Sequence, residues 1–476
     1  MTHLAEEADV VIIGARLAGT AAAVPLARAG RKVVLIDKST FPSEQLSTHV
    51  LVPSGVAELQ HMGALPHILR LNPARARYLG VTVDDVQLRE RFAPVDGIDY
   101  GVCVPRLQQD VCLVTAAREA GADVREKCMF TEVLSDNGRA AGVQYRHDGK
   151  DYRIRAKLVI GADGMRSRTS AAVGQWTPYR GSLNGRGFAF RYMDDPKVGT
   201  IEHETYGIYR PNARSVLTLP CSPHGRLLVV FMAPADDIPR FQEGGDRFWW
   251  DALMEDPQLA ERVAGAQNVG SLRATRKLTA FYRRSSGPGW ALAGDAGHFK
   301  DPVVGQGQRD ALHHGRLLGE AARATLDDPI ALDAALAAWE SNRDRDTRST
   351  YHWGNRETRP DAPSALVREV LRTFAGDDGP DITDTFNRRR KIEQILGPSK
   401  LVRGLARALT QRGADRRSIL REVAREIPIE LGIRWENAFG GFRYQGWAPS
   451  ERPGWSLGEP PSVQRTAARA SLQVAN

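Results

Sequence analysis

The sequence predicts an α/β fold: a buried parallel sheet between two covering layers, an antiparallel sheet inserted into that body, and a mostly helical C-terminal region. Three observations predict it. Short continuous apolar runs, the first two rich in β-branched residues, recur near residues 10, 158 and 290, each leading into a glycine-rich turn, as strands buried on both faces do. Between the second and third runs lies a stretch of alternating apolar and polar residues, the pattern of antiparallel strands. Past Leu326 the chain turns charged and helical in pattern. At 476 residues it is too long for one simple core, so two or three domains are expected.

The first run is "ADVVIIGARLAG", in which Val10 to Ile13 reads as a strand and Gly14 to Gly19 as a turn. The turn is G-x-G-x-x-G with Arg16 in place of the middle glycine. "TAAAVPLARAG" follows with a helical composition that ends at Gly30, although Pro25 sits inside it. "KVVLIDK" is a second strand, closing on Asp37 and Lys38. Asp37 lies 23 residues after Gly14, close to the roughly 20 expected for the acid that takes ribose hydroxyls. Strand, glycine loop, helix, strand and acid together make a Rossmann-like βαβ unit. Gly14, Ala15, Arg16, Ala18 and Gly19 are its candidate phosphate-side residues, because a helix N-terminus offers free N–H groups and a positive dipole end. Two readings of Arg16 stand: a charge beside the phosphates or the redox ring, or a solvated side chain merely tolerated in the turn.

Bulk properties exclude other classes. The composition, 42% hydrophobic and 26% charged, is that of a soluble globular protein. No apolar stretch approaches the roughly 18 residues of a membrane span. The N-terminus "MTHLAEEA" is acidic and polar, unlike a secretory signal, and the four cysteines lack C-x-x-C spacing, so a reduced, cytoplasmic protein is expected. The net charge of +8 is dispersed among acids, which argues against nucleic acid; "RRRK", Arg388 to Lys391, reads as a solvated helix face. No metal site is expected.

Two later motifs add to the first. "KLVIGADG" is a strand ending at Asp163 in a glycine turn, within "RIRAKLVIGADGMRSRTSAAVG". "WALAGDA" is a strand ending at Asp295, followed by the Pro/Gly loop "DPVVGQG" and the helical pattern "RDALHHGRLLGEAA". A helix beginning near Gly305 would aim its positive end at an anionic ligand before it.

These three motifs, in this order and spacing, resemble the FAD-dependent monooxygenases of the p-hydroxybenzoate hydroxylase type, a group related to flavin-dependent halogenases and geranylgeranyl-type reductases. The likeness covers roughly residues 7 to 325. It implies that the first motif holds the ADP half of FAD, that Asp163 sits near the pyrophosphate and the nicotinamide path, and that Asp295 bonds the ribityl chain. It also implies that Pro302, Gly305, Gln306 and Gly307 lie against the flavin ring. "VPRLQQD" resembles the family's R-x-x-x-D helix, which implies that Arg106 reaches the cofactor; otherwise it is a helix-start residue in water. "MFTEVL" resembles the strand that meets the adenine near Phe130, and "STH" places Thr48 and His49 near the ring. His49 is the candidate catalytic, proton-handling group, against a reading as a histidine bonding its own loop. The chain departs from the family's DGxxSxxR in having Ser170 at the last arginine.

The resemblance also divides the chain. Residues 1–75, 99–180 and 283–326 are expected to form the FAD-binding domain, 76–98 and 181–282 the substrate domain, and 327–476 the helical C-terminal region. In the middle, "GFAFRYM", "TIEHETYGIYR", "SVLTLP", "RLLVVFMA" and "ATRKLTAFYRR" read as strands and "RFWWDALMEDPQLAERVAGA" as a helical insert. The tail around "WENAFGGFRYQGWAPS" reads as an extended cover or partner surface.

The implied activity is oxygen insertion into a small aromatic or polyketide-like molecule through a flavin hydroperoxide. NAD(P)H is the expected co-substrate, bound transiently because no second glycine-rich βαβ unit is present, or else a separate reductase supplies reduced flavin. The alternatives are a reductase of an isoprenoid-like double bond, whose Cys-Gly element is "STH" here, and a halogenase, whose W-x-W-x-I-P sequence is absent.

Overall fold

The structure is a computed structural model describing residues 6–44, 47, 49–276, 278–375, 379–440 and 459–461. Its centre is a six-stranded sheet in the order Ser286–Gly287, Trp290–Leu292, Leu158–Gly161, Val10–Ile13, Val33–Ile36 and Asp123–Arg125. All neighbours are parallel except the first pair, a tight hairpin. The β-branched runs predicted this, since each strand is covered on both faces. Alternate residues go to different layers. Val10 and Ile12 pack with helices Leu17–Arg28, Arg106–Glu119 and Gly307–Thr325, while Val11 and Ile13 pack against an antiparallel layer. That layer contains Met129–Asp136, Arg139–His147 and Lys150–Arg155. The first helix runs through Pro25 without a break, so the proline is absorbed in its last turns.

The second body is a seven-stranded sheet in the order Asn268–Thr275, Arg186–Asp194, Arg226–Pro234, Ser215–Cys221, Thr205–Tyr209, Tyr78–Val83 and Val86–Arg91. One face is sealed by the helix Ile238–Met254, with Phe231, Phe241 and Trp249 interleaved and fully buried. Of the aromatic residues in this stretch, Phe231 and Trp249 are therefore ordinary core. The opposite face carries Phe188, Phe190, Tyr192 and Tyr206 toward the first body.

Several expectations need correction. Thr205–Tyr209 pairs with Tyr78–Val83 in parallel, so the sheet is not wholly antiparallel. Residues Ile201–Glu204 form a 3-10 turn instead of the start of a strand. "ATRKLTAFYRR" is not one strand: Thr279–Tyr282 leaves the large sheet for a small one with Arg180–Leu183 and His298–Phe299. Alternation reports a strand's faces but not its partners, so a change of sheet within an apolar run is invisible to it. "RRRK" is a turn, not a helix face. Arg388 takes φ +60° there and turns inward, its guanidinium donating to the Asp346 carbonyl at 2.6 Å and carboxylate at 2.9 Å.

The C-terminal region comprises helices Pro329–Glu357, Ala365–Arg372, Asp381–Phe386, Ile392–Ile395, Pro398–Thr410 and Arg416–Phe439. Ile382 and Phe386 pack against the aromatic face of the seven-stranded sheet, which makes this region part of the site's surroundings. Most of the Trp- and Pro-rich tail lies outside the described residues. Among the described residues no helix is long and apolar enough to cross a membrane.

Candidate functional site

The parallel strands end side by side, and their carboxyl ends carry Gly14, Asp37, Ala162–Asp163 and Gly294–Asp295. A crevice outside such strand ends is where open α/β sheets take nucleotides. The turn is packed as tightly as its glycines suggest. Gly14 has φ +105°, and a Cβ on it would lie 2.4 Å from the Ala162 carbonyl oxygen. The helix from Leu17 has no side-chain cap, and its first backbone bond is Thr20 N–H to the Arg16 carbonyl at 2.9 Å. Gly14 N–H is spent on the Ile36 carbonyl at 2.8 Å, so the N–H groups of the helix's first turn, from Leu17 on, are the ones that remain available to an anion.

Asp37 is buried and accepts from the Ala15 N–H at 2.9 Å and the Ser39 N–H at 2.8 Å. These bonds hold its carboxylate at the lip of the crevice with lone pairs left for ribose hydroxyls. Lys38, next along, is exposed. Phe130 is buried in one cluster with Val34 and Ile36, its strand led in by the Cys128 N–H to Asp37 carbonyl bond at 2.8 Å. Thr48 lies outside the described residues.

Arg16 is not a freely solvated side chain. Its guanidinium contacts the Asp110 carboxylate, donates to Ser43 Oγ at 2.8 Å and lies 5.5 Å from the Phe41 ring centroid. Arg106 grips the same Asp110 through two bonds of 2.8 and 3.0 Å. One buried carboxylate thus orients two guanidiniums at the crevice, a bidentate geometry lysine does not reproduce. Asp110 is the fourth residue after Arg106, so the helical spacing could have revealed this partner.

Asp163 and Asp295 end adjacent strands and differ in state. Asp163 accepts from Ser167 Oγ at 2.5 Å, Thr169 N–H at 2.9 Å and Thr169 Oγ1 at 3.1 Å, so its carboxylate is committed to its own turn. Asp295 has no hydrogen-bond partner among the described residues. Burial pushes its carboxyl up to about 6, against the pull of Arg106 and Lys300.

On the ring side, Pro302–Val304 forms a 3-10 turn and Gly305 takes the left-handed conformation at φ +62°. The following helix starts at Gly307, two residues later than the sequence suggested. Gln306 is fully buried, donating from Nε2 to the Phe386 carbonyl at 2.9 Å, while its Oε1 has no partner. Ser47 and Val50 lie against this loop: Gln308 Nε2 donates to Ser47 Oγ at 3.0 Å, and a Cβ at Gly305 would sit 3.4 Å from Val50.

His49 is buried at φ +61°, with its ring 5.7 Å from Phe190 edge-on and 6.0 Å from Tyr192 in a stacked arrangement. Among the described residues its Nδ1 has no partner. Burial, with Arg106 and Arg273 nearby, brings it down to about 3 and keeps the ring neutral. Phe299 and Val303 join the same apolar surface.

Two residues went unnoticed in the sequence. Lys300 is buried behind the loop, in contact with Asp310 and donating to His298 Nε2 at 3.3 Å. Burial drives its ammonium well below its ordinary value, and Arg388 and Arg309 push the same way. Asp301, capping Val303 N–H at 2.9 Å and accepting from Asn184 at 2.5 Å, is raised by burial to about 6. The buried "KD" inside "GHFKDPVV" was the available signal.

These residues fit FAD. The free N–H turn and Asp37 suit the ADP half, the unpartnered Asp295 carboxylate suits the ribityl hydroxyls, and the side-chain-free backbone at Gly305 and Gly307 suits a flat ring.

Comparison with known proteins agrees. A family model described as "FAD binding domain" matches residues 7–345, well over half the chain. A digeranylgeranylglycerophospholipid reductase of Methanopyrus kandleri is 27% identical over 77% of this chain and 93% of its own. A menaquinone reductase of Mycolicibacterium smegmatis is 28% identical over 66% of this chain and 76% of its own. The fold is similar to that of the myxobacterial chondrochloren halogenase CndH, with TM-score 0.66 and 19% identity over 84% of this chain and 97% of that one. It is also similar to pqsL, a probable FAD-dependent monooxygenase of Pseudomonas aeruginosa, with TM-score 0.63 and 19% identity over 78% and 99% of the two chains. The chain belongs to the FAD binding domain family and is a flavoprotein oxidoreductase by family.

Proposed function

We propose that this protein is an FAD-dependent monooxygenase of the p-hydroxybenzoate hydroxylase type, hydroxylating a small, flat, electron-rich molecule of aromatic or polyketide-like character. The balanced reaction takes substrate, dioxygen, NAD(P)H and a proton to hydroxylated substrate, water and NAD(P)+. The observation that carries this reading is His49: neutral, buried, with an unpartnered Nδ1, set between Phe190 and Tyr192 beside the Pro302–Gly307 loop. A neutral imidazole there accepts a hydrogen bond from a substrate hydroxyl, which raises electron density in an attached ring. The aromatic face orients the ring and excludes water. FAD, when bound and reduced, supplies dioxygen activation. The helix starting at Gly307 favours negative charge on a ligand before it, by roughly 0.3–2 kcal/mol. Asp310 in its first turn would oppose that, but is paired with the Arg309 guanidinium at 3.0 Å.

The sequence likeness to two enzymes named as reductases favours a second reading, reduction of an isoprenoid-like double bond. Such a reaction needs an acid beside the carbon that receives the proton. A histidine held neutral down to about pH 3 is a poor acid of that kind, which weighs toward the oxygenase.

The test is turnover of the flavin-loaded protein with NAD(P)H under labelled dioxygen. Label in the product and oxygen uptake matched to NAD(P)H oxidation are expected. Full-rate anaerobic turnover that saturates a double bond would transfer the assignment to the reductase. His49→Asn should lower turnover about 10²–10³-fold with FAD still bound.

A further inference from the structure

A second cluster lies on the seven-stranded sheet, away from the flavin crevice and unused by the reaction above. His203 lies in the 3-10 turn Ile201–Glu204, and His224 sits in the turn joining Ser215–Cys221 to Arg226–Pro234. Their rings are 4.6 Å apart, centroid to centroid, and nearly perpendicular. His203 is 4% exposed. Its Nδ1 meets the Asp195 carboxylate at 2.7 Å, and Arg262 clamps that carboxylate with bonds of 2.7 and 3.0 Å. The carboxylate fixes Nδ1 as the protonated nitrogen and leaves Nε2 with a lone pair, and Nε2 has no partner although buried. Both imidazoles line a cavity of about 410 Å³ together with Glu204, Tyr78 and Thr200.

We propose that His203 Nε2 and His224 bind one divalent transition-metal cation of the zinc or copper type, with water completing its coordination; Glu204, which also lines the cavity, is held by Arg77 at 3.0 Å. A carboxylate behind a histidine, fixing its tautomer and raising its basicity, is what imidazole metal ligands commonly carry. Imidazole suits borderline cations and not magnesium or calcium. His224 is exposed and its ring lies 4.6 Å from that of His203, so its side chain has room to turn toward the ion. The bound ion would tie the turn before Thr205–Tyr209 to the turn after Ser215–Cys221, two antiparallel neighbours.

A tighter-looking group, His313, His314 and Asp346, is the weaker candidate. His313 Nδ1 is taken by Glu58 at 2.7 Å, and Asp346 is already paired with Arg309 and Arg388 at 3.3 and 2.9 Å. A cation there would face two guanidiniums.

The experiment titrates the untagged, flavin-loaded full chain with Zn2+ in competition with a chromophoric chelator. One equivalent is expected, weakened at least about 10-fold by His224→Gln and unchanged by His313→Gln. Because His224 is exposed, its variant should fold like the parent. His203→Gln, with its buried ring, is paired with a circular dichroism check and should abolish the equivalent. No zinc binding below about 1 mM, or parental affinity in His224→Gln, would overturn the proposal. Loss of the equivalent in His313→Gln alone would overturn it equally, by assigning the ion to the other cluster.

Discussion

Asp163 and Asp295 stand at the ends of neighbouring parallel strands, each in a glycine turn, yet one is structural and the other open to a ligand. Asp163 spends its carboxylate on Ser167 and Thr169, closing the turn that Gly14 packs against. Asp295 is half-buried with no hydrogen bond among the described residues and is held near 6. The difference lies in the residues just C-terminal to each strand. "DGMRSRTS" supplies hydroxyls and an N–H within six residues, whereas "DAGHFKDP" supplies none to its aspartate. A buried carboxylate left without donors costs stability unless a ligand satisfies it, which is how a binding site differs from a core turn.

The largest effect should come from breaking the structural member. Asp163→Ala strands buried donors and should destabilise the fold by about 2–4 kcal/mol, seen in urea unfolding of the flavin-free chain. Unchanged unfolding would remove the distinction between the two aspartates.

Asp295 should act on stability with pH and on ligand binding. Its carboxyl is near 6 folded and about 3.9 unfolded, so the folded state holds more protons between those values. The contribution of Asp295 to the stability of the flavin-free chain should therefore fall as pH rises from about 4 to about 6, by up to about 3 kcal/mol, read as the difference between the parent and Asp295→Asn across that range. Asp301, raised to the same range, and Asp163, also raised by burial, contribute in the same sense. Asp295→Ala should weaken FAD binding about 10–100-fold, measured by fluorescence titration. Wild-type affinity in that variant would make Asp295 a second structural residue.

His49 gives the opposite pH sign. Its folded value of about 3 lies below the unfolded 6.5 or so, so its contribution is present above about 6.5 and declines as pH falls toward 3. His49→Asn should make the flavin-free chain more resistant to acid, with unfolding at pH 4 as the readout.

The smallest effect concerns Arg16. Because it is tied to Asp110 and Ser43, Arg16→Gly should lower thermal stability by about 1 kcal/mol and change FAD affinity less than about threefold. A large loss of FAD affinity with stability intact would return Arg16 to the ligand side.

What the sequence alone determined is local in character. Strand, glycine turn, helix and acid follow from burial periodicity and from backbone conformations that only certain residues adopt, so Val10 to Asp37 could be placed by inspection. The same holds for "DPVVGQG" as a loop free of bulky side chains, although its helix begins two residues late. Tertiary structure decided everything that depends on a partner distant in the chain. The Arg16–Asp110 pair spans 94 residues, Gln306 to Phe386 spans 80, and His49 owes its neutrality to rings more than 140 residues on. The interior location of Lys300 and the split of one apolar run between two sheets belong to the same class. Hydrogen bonding and desolvation act over a few ångströms, and the residues that meet at such distances are chosen by the packing of whole elements, which no local pattern encodes.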